Sequence, residues 1–587
     1  MPPYRQPLSY ILRFPAPHTH YVEVEMQVPA GGKAAIELVM AVWTPGSYLI
    51  REYARHIEGV SARTPEGETL VTDKVRKNRW RIRTASAETV LVTYRVYGRE
   101  MSVRTNWIEE DFALLNGAPT FLTLVEAGPR PHDIQLVLPA PWHTVMTGLP
   151  AVSDGQQHHY WAADFDTVVD TPILAGNPAV YPFTVDGKPH YLVNEGEGGV
   201  WDGPRSARDV EKIVHAHWQM WGGSLPYDQY LFLNMLTEAG GGLEHHNSTV
   251  LMTSRWNTRS RQAYLDWLGL VSHEYFHVWN VKRLRPVELG PFDYENEVYT
   301  RNLWIAEGVT AYYTELGVRR AALCTEEEFL TGLSRLITRL QTTPGRLVHP
   351  LEMASYDAWI KFYRNDENTS NTTISYYTKG AVVTFLLDAR IRTATDGAQC
   401  LDDVLRLAYT RYAGERGFTR EEFRAMAQEV AGIDLHSWFV SMLETTEELD
   451  YTEALGWFGL RFKPETTGNA TAGWLGLETK VDSGRLLVTQ VRRETPGWRD
   501  GFNVDDEILA IDGYRVRPEQ WAMRLASYRP GDRVAILVAR RERLRTLDVT
   551  CAAELPQRWQ LEVDPAASTV QQEHFRAWLA PTIPGAL

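Results

Sequence analysis

His273, Glu274 and His277, in the run His273-Glu274-Tyr275-Phe276-His277, have the types and spacing for metal-assisted hydrolysis. On a helix the two imidazoles stand one turn apart on one face and can both reach one tetrahedral zinc ion. The carboxylate after the first histidine is too displaced to ligate, but it can take a proton from metal-bound water. A helix must present these groups. Tyr264, Trp267, Leu268 and Val271 recur at helical spacing just upstream, and Lys282, Arg283 and Arg285, followed by Pro286, are expected to mark the helix end. On that helix Glu274 shares a face with Leu270, Val271, His277 and Val278, where an unpaired carboxylate is costly to bury; a bound cation removes the cost.

A catalytic zinc site takes a third protein ligand and keeps its fourth position for water. Five downstream glutamates come into consideration. Glu288, Glu295 and Glu297 lie in a stretch punctuated by Gly290 and Pro291, which reads as loop. Glu315 has Arg319 four residues on, the spacing of a surface ion pair. Glu307 instead sits on a helical face with Leu303, Trp304 and Ala311, and is expected to be the third ligand.

The pairing of His-Glu-x-x-His with a later Trp-x-x-Glu-Gly (Trp304 to Gly308) resembles the glutamate-zinc peptidases related to aminopeptidase N, with a longer separation from His277 to Glu307 than in that enzyme. The closer resemblance is to the glycyl aminopeptidase family. It rests on His273 through Pro286 as a block, on Trp43-Thr44-Pro45-Gly46-Ser47-Tyr48, and on the domain order, and it covers most of the chain. In these relatives the two histidines and the later glutamate hold one Zn2+ and the glutamate of the first motif is the base, which implies those roles for His273, His277, Glu307 and Glu274.

Two further segments gain roles from the resemblance. Gly240-Gly241-Gly242-Leu243-Glu244-His245 follows an expected strand, Tyr230 to Leu236, and its glycines let backbone approach a ligand closely. It is similar to the segment that holds the substrate's free amine, which implies that Gly241, Gly242 and Glu244 bind substrate and that Glu244 takes the ammonium. Tyr376-Tyr377-Thr378-Lys379-Gly380 resembles the segment carrying the transition-state tyrosine, at the position of Tyr377; a donor of this kind is worth about 2–4 kcal/mol. Tyr376 is the neighbour with which it could be confused. His215, His217, His245 and His246 are not needed by this scheme and read as surface or packing residues.

The chain has 587 residues and a net charge of -14, too long for one hydrophobic core and too acidic for nucleic acid or an anionic membrane as a partner. Cys324, Cys400 and Cys551 are widely spaced, so neither a disulfide framework nor a cysteine metal site is expected. The start of the chain lacks an apolar core of signal-peptide length and no segment is long enough to span a bilayer, so a cytoplasmic location is expected.

The fold expected is multidomain α+β. Residues 1–175 alternate apolar and polar in short runs, such as Tyr21 to Val28, Ala35 to Met40, Val90 to Tyr97 and Ile134 to Leu138, an antiparallel β-sandwich-like pattern. Residues 176–455 are mainly helical, beginning with Ser206 to Gln219 capped by Ser206, and the resemblance implies a thermolysin-like catalytic domain. Residues 456–556 return to strands. There Gly473-Trp474-Leu475-Gly476-Leu477 and Asp506 to Gly513 resemble the carboxylate-binding loop and core of a PDZ domain, with Asp505 where glycine is usual. Residues 557–587 read as a trailing helix or loose tail.

The function expected is a zinc aminopeptidase removing small residues, Gly and also Ala, from peptides with a free N-terminus, the PDZ-like domain taking a peptide C-terminus. The glycine preference rests on the resemblance alone. Within the enzyme class the alternative is an endopeptidase or broad aminopeptidase; outside it, a peptide-binding adaptor or chaperone with a structural zinc.

Overall fold

The structure, a computed structural model, describes residues 6–126, 128–463, 471–554 and 559–583. Its N-terminal domain is a β-structure around one apolar core. Tyr21–Pro29 turns Val22, Val24, Met26 and Val28 inward and leaves Glu23 and Gln27 exposed, the period-two alternation of a half-buried strand. It lies inside a seven-stranded sheet, and two four-stranded sheets complete the domain. The expected strands are present as Tyr21–Pro29, Ala35–Val39, Thr89–Tyr97 and His132–Val137. The sheet is not wholly antiparallel, however: Leu8–Arg13 pairs in parallel with His132–Val137, because the chain returns to that edge only after more than a hundred residues.

The catalytic region opens on a five-stranded sheet. Lys188–Glu195, Tyr230–Leu236 and Ser248–Thr253 run parallel, and the glycine-rich Gly241–Glu244 pairs antiparallel with the last of them as an edge. Tyr230–Leu236 is buried on both faces, which accounts for its nearly unbroken apolar sequence. Its one polar residue, Asn234, donates to Asn194 at 2.9 Å and accepts from the Trp267 indole at 3.1 Å, pinning the histidine-bearing helix to the sheet. The first helix, Gly203–Met220, starts earlier than expected: Asp202 caps it by accepting from the Arg205 N–H, with Pro204 in the first turn, while Ser206 is buried and its hydroxyl turns back to the Asp202 carbonyl.

After Tyr451 the chain does not leave the helical lobe for good. Leu460–Phe462 pairs antiparallel with Leu561–Val563, so the PDZ-like sheet between them is an insertion. The stretch read as a trailing helix or loose tail is part of the lobe: Thr569–Leu579 buries Phe575, Trp578 and Leu579, and the Trp578 indole donates to the Tyr312 hydroxyl at 2.8 Å and stacks 4.1 Å from Phe458. Sparse charge and abundant Ala and Pro hid an apolar face only three residues wide. In the PDZ-like domain, Asp505 stands where glycine is usual with φ of 69°, the left-handed conformation that glycine ordinarily supplies.

Trp578→Ala is expected to destabilise the catalytic lobe by about 3–5 kcal/mol, as for other fully buried tryptophans, read as a lower urea midpoint by circular dichroism; an unchanged midpoint would mean that the last helix only leans on the surface.

Candidate active site

The helix Arg261–Phe276 carries the first histidine and ends at the second. Tyr264, Trp267, Leu268, Val271, Tyr275 and Phe276 are buried on several of its sides, and only its first turns, with Arg261, Gln262 and Asp266, are exposed. It stops about six residues sooner than expected. Lys282, Arg283 and Arg285 lie beyond it and serve as tertiary contacts: Arg283 donates to the carbonyls of Val278 and Pro226, both at 2.8 Å, and Lys282 pairs with Asp170.

Glu307 arrives on a π-helical segment, Trp304–Val309. Such a segment leaves backbone carbonyls without their usual partners. The Asn280 amide supplies them, donating to the Ile305 carbonyl at 2.8 Å, the Ala306 carbonyl at 3.3 Å and the Thr310 hydroxyl at 3.1 Å. One buried amide thereby joins the segment after His277 to the segment that holds Glu307.

The structure brings His273, His277 and Glu307 together. Glu307 Oε2 lies 3.4 Å from His273 Nε2 and 3.3 Å from His277 Nε2, and the two rings are 4.8 Å apart and nearly perpendicular. The other nitrogen of each ring is spoken for. His277 Nδ1–H donates to the Asn280 carbonyl at 2.7 Å. His273 Nδ1 lies 2.9 Å from the Thr314 hydroxyl, whose own proton goes to the Thr310 carbonyl at 3.0 Å. Both Nε2 lone pairs therefore point at one place, as metal ligands require. Thr314 and Asn280 were not legible as partners, since contact across elements leaves no local pattern.

Charge makes the same case. Glu244, Glu274 and Glu307 are 4, 5 and 2% exposed, and Glu244, Glu274 and His277 bring potential ligand atoms within 4.8 Å of one another. Burial alone would lower the pKa of His277, yet Glu307 and Glu244 beside it raise it to about 10. Burial, with Glu244 and Glu307 nearby, pushes the Glu274 carboxyl well above its ordinary range. The pocket is short of positive charge, and the ligand set suits a divalent ion.

Glu244 ends the edge strand with its carboxylate buried and Oε1 lacking a hydrogen-bond partner among the described residues. Two glycines make this packing possible. A Cβ on Gly242 would fall 2.1 Å from Glu274 Oε1, and one on Gly46, from the early Trp43 to Tyr48 motif, 2.6 Å from Glu244 Oε1. Gly241 has φ of 116°. Tyr377 stands in the first turn of Tyr376–Ala394, its ring 6.0 Å from His273 and nearly parallel to it. Tyr376 is fully buried and packs on Phe362. Burial, with Glu307 nearby, raises the Tyr377 phenol's pKa well above the ordinary value, so it keeps its proton. A Cβ on Gly308 would lie 2.6 Å from Gly380 Cα, so the glycines after Glu307 and Tyr377 mark a close crossing of their two segments.

Asp170 of the N-terminal domain fastens the back of the site. It accepts from the His246 N–H at 2.9 Å and lies 2.7 Å from His246 Nδ1 and 3.3 Å from His245 Nδ1, besides pairing with Lys282. Burial would push its carboxyl up, but Lys282 and these histidines hold it well below the usual range. His217 is a buried packing residue bonded to Ser272. A cavity of 680 Å³ adjoins Glu244, lined also by Gly46, Tyr48, Asp170, Lys282 and Tyr294.

Of the glutamates set aside, Glu295 pairs with Arg79, and Glu288 accepts from the Thr300 hydroxyl. Glu315 is not the surface partner of Arg319, which instead pairs with Glu326 at 3.6 Å. It is half-buried against Gly332, and burial raises its pKa to about 7.

The chain matches the family models for the Peptidase M61 N-terminal domain over residues 9–177, M61 glycyl aminopeptidase over 266–383 and the PDZ domain over 473–551. Among solved structures it is similar to an aminopeptidase N family protein from Idiomarina loihiensis, 29% identical, covering 98% of this chain and 100% of that one with a TM-score of 0.90. An M1 zinc metallopeptidase variant from Deinococcus radiodurans, bound to a Tyr-Ser-Ala substrate, is 13% identical over 76% of this chain and 95% of that one, with a TM-score of 0.47. No curated protein matches. Fold and comparisons define a metallopeptidase. The chain carries the N-terminal and catalytic domains of the M61 glycyl aminopeptidases, followed by a PDZ domain. No helix among the described residues is long and apolar enough to cross a membrane.

Purified protein is expected to hold about one zinc per chain by inductively coupled plasma mass spectrometry; His277→Ala and Glu307→Ala should empty it and Glu244→Gln should not. Loss on Glu244→Gln with retention in Glu307→Ala would move the ion to the Glu244, Glu274 and His277 cluster. Glu315 holds its proton in the fold up to about pH 7, whereas the unfolded chain releases it near 4.3. Its contribution is thus present below that lower value and lost as pH rises through 7. Glu315→Gln should remove about 1–3 kcal/mol of the stability fall between pH 5 and 8, read from urea midpoints; parallel wild-type and variant profiles would refute it.

Proposed function

We propose that the protein is a zinc aminopeptidase that removes N-terminal glycine, and alanine more slowly, from peptides. The observation that carries the exopeptidase reading is Glu244: a buried carboxylate, one oxygen without a partner, beside the base and the ligand set. An ammonium group is the natural occupant of such an anion. The glycine preference is supported by the family description, and the aminopeptidase reading also by the 29% identical relative's membership of the aminopeptidase N family.

Zinc held by His273, His277 and Glu307 would supply Lewis acidity and lower the pKa of water. Glu244 holds the substrate ammonium and so fixes the first peptide bond at the site. Glu274, kept basic enough by its acidic neighbours, takes the proton of the attacking water and returns it to the leaving amine as the carbon–nitrogen bond breaks. Tyr377, protonated, donates a hydrogen bond to the developing oxyanion. Gly242 gives Glu274 the room to move its proton between those partners.

Free-amine peptides should lose single residues, fastest for Gly, with N-acetylated peptides inert and activity abolished by a chelator, as read by mass spectrometry. Glu274→Gln is expected to lower kcat about 10²- to 10⁴-fold and Tyr377→Phe about 10²- to 10³-fold. Glu244→Ala should act mainly through the loss of free-amine selectivity. Internal cleavage would make the enzyme an endopeptidase, full turnover by Glu274→Gln would remove Glu274 from the role of base, and no cleavage even with added zinc would leave a binding protein with a structural ion.

A further inference from the structure

The PDZ domain is not merely appended to the catalytic lobe; it is bonded to the segment that leads into Tyr377. Asn371, 5% exposed, sits on the short turn Thr369–Thr372, six residues before that tyrosine. Its Nδ2 donates to the Val491 carbonyl at 2.9 Å, and its Oδ1 accepts from the Arg493 N–H at 2.8 Å. The neighbouring Ser370 hydroxyl accepts from the Gln490 amide at 2.6 Å. An asparagine side chain that bonds alternate backbone groups of a strand acts like one more residue of a sheet.

The strand it extends, Arg485–Val491, is also the partner of the strand that follows the PDZ loop. Leu477 pairs with Val491, and the Arg492 N–H donates to the Gly476 carbonyl at 2.8 Å. In that loop the N–H groups of Leu475 and Gly476 have no partner among the described residues, although both residues are buried, and Gly476 has φ of 76°. Consecutive free N–H groups about a left-handed residue form an anion nest. Beyond it, Leu477–Asp482 pairs on one side only among the described residues and offers its other edge to an extended peptide. Two covalently continuous residues, Val491 and Arg492, thus stand between that nest and Asn371.

We propose that Asn371 is a positioning residue through which a peptide C-terminal carboxylate, bound at Leu475 and Gly476, adjusts the Tyr377 hydroxyl and hence turnover. The proposal rests on the role given above to Tyr377. On the other side of Asn371 the segment has little slack: a Cβ on Gly345 would fall 2.2 Å from the Thr373 carbonyl oxygen, and Ser375 caps the tyrosine helix by accepting from the Thr378 N–H at 3.3 Å. Movement of Val491 and Arg493 is therefore passed along the chain toward Tyr377 rather than absorbed beside it.

The test uses the full-length zinc-loaded enzyme and glycine p-nitroanilide. The added probe is an N-acetylated five-residue peptide ending in Val with a free carboxylate, which cannot serve as substrate; its C-terminal amide is the control. The free acid should change wild-type kcat about fivefold or more, with KM little altered, and the amide should not. Asn371→Ala should lower basal kcat by about three- to thirtyfold and abolish the response. Asn371→Asp, which keeps the acceptor for the Arg493 N–H and loses the donor to Val491, should fall between. Hydrogen–deuterium exchange over residues 369–380 should change with the acid in wild type and not in Asn371→Ala, while the probe still binds, as read by tryptophan fluorescence. Equal effects of acid and amide, or a response that survives in Asn371→Ala, would overturn the proposal. If no free-amine substrate is cleaved while exchange still responds to the acid, the coupling stands and the peptidase reading falls.

Discussion

Three carboxylates share one buried pocket with two histidines, and much of the surrounding structure follows from making that tolerable. A buried, unpaired carboxylate costs several kcal/mol, so Glu244, Glu274 and Glu307 cannot sit together without compensating positive charge. Their effect is visible on His277, raised to about 10 against the downward push of burial. A divalent ion answers the same deficit more fully than one imidazolium, and it also explains why both Nδ1 atoms are bonded to oxygen acceptors, leaving the Nε2 lone pairs for a ligand role.

Close approach is the second requirement, and glycine supplies it at three crossings. Gly308 against Gly380 brings the Glu307 segment and the Tyr377 helix within backbone contact; Gly242 makes room for the base; Gly46 makes room for Glu244. The four glycines belong to four segments far apart in the chain, one of them in the N-terminal domain. That domain accordingly contributes to the site in two ways, through Gly46 at its front and through Asp170, which ties His246 and Lys282 together behind it. A wall of the cleft is also a clamp on the strand that carries Glu244.

The side chains that the structure brings together were legible because their patterns are local: His273 and His277 within one turn and Glu307 in Trp-x-x-Glu-Gly, with Tyr377 picked out by the resemblance of Tyr-x-Lys-Gly. Strands of the N-terminal domain were legible from alternation, to within about two residues at their ends. What escaped was tertiary. The cations after His277 mimic a helix end, but Lys282 pairs with Asp170 and Arg283 reaches the Pro226 carbonyl besides that of nearby Val278, and neither Asp170 nor Pro226 lies within any window of sequence around them. Glu315 and Arg319 have the spacing of an ion pair, yet Glu326 lies nearer to the arginine and burial removes the glutamate from water. The last helix looked loose because only one narrow face, Phe575, Trp578 and Leu579, is apolar, and the groove that receives it is built by residues far upstream. Asp505 shows the converse: it stands where glycine is usual, and the backbone keeps the left-handed conformation and accepts its strain.

The insertion geometry gives the PDZ domain a mechanical standing that a terminal module lacks. The chain leaves the lobe after Leu460–Phe462 and re-enters at Leu561–Val563, and those two strands are neighbours, Leu460 opposite Val563 and Phe462 opposite Leu561. A module held at both ends from one point loses the wide excursion of a single tether, so a contact at its surface operates at high effective concentration. Weak bonds such as those of Asn371 and Ser370 can then persist without a large apolar interface. The re-entering strand also leads straight to Trp578, whose indole meets Tyr312 on the helix that follows Glu307. The insertion is therefore attached near the helix that follows Glu307 and at the segment that precedes Tyr377, so its contacts bear on the helices around the candidate site.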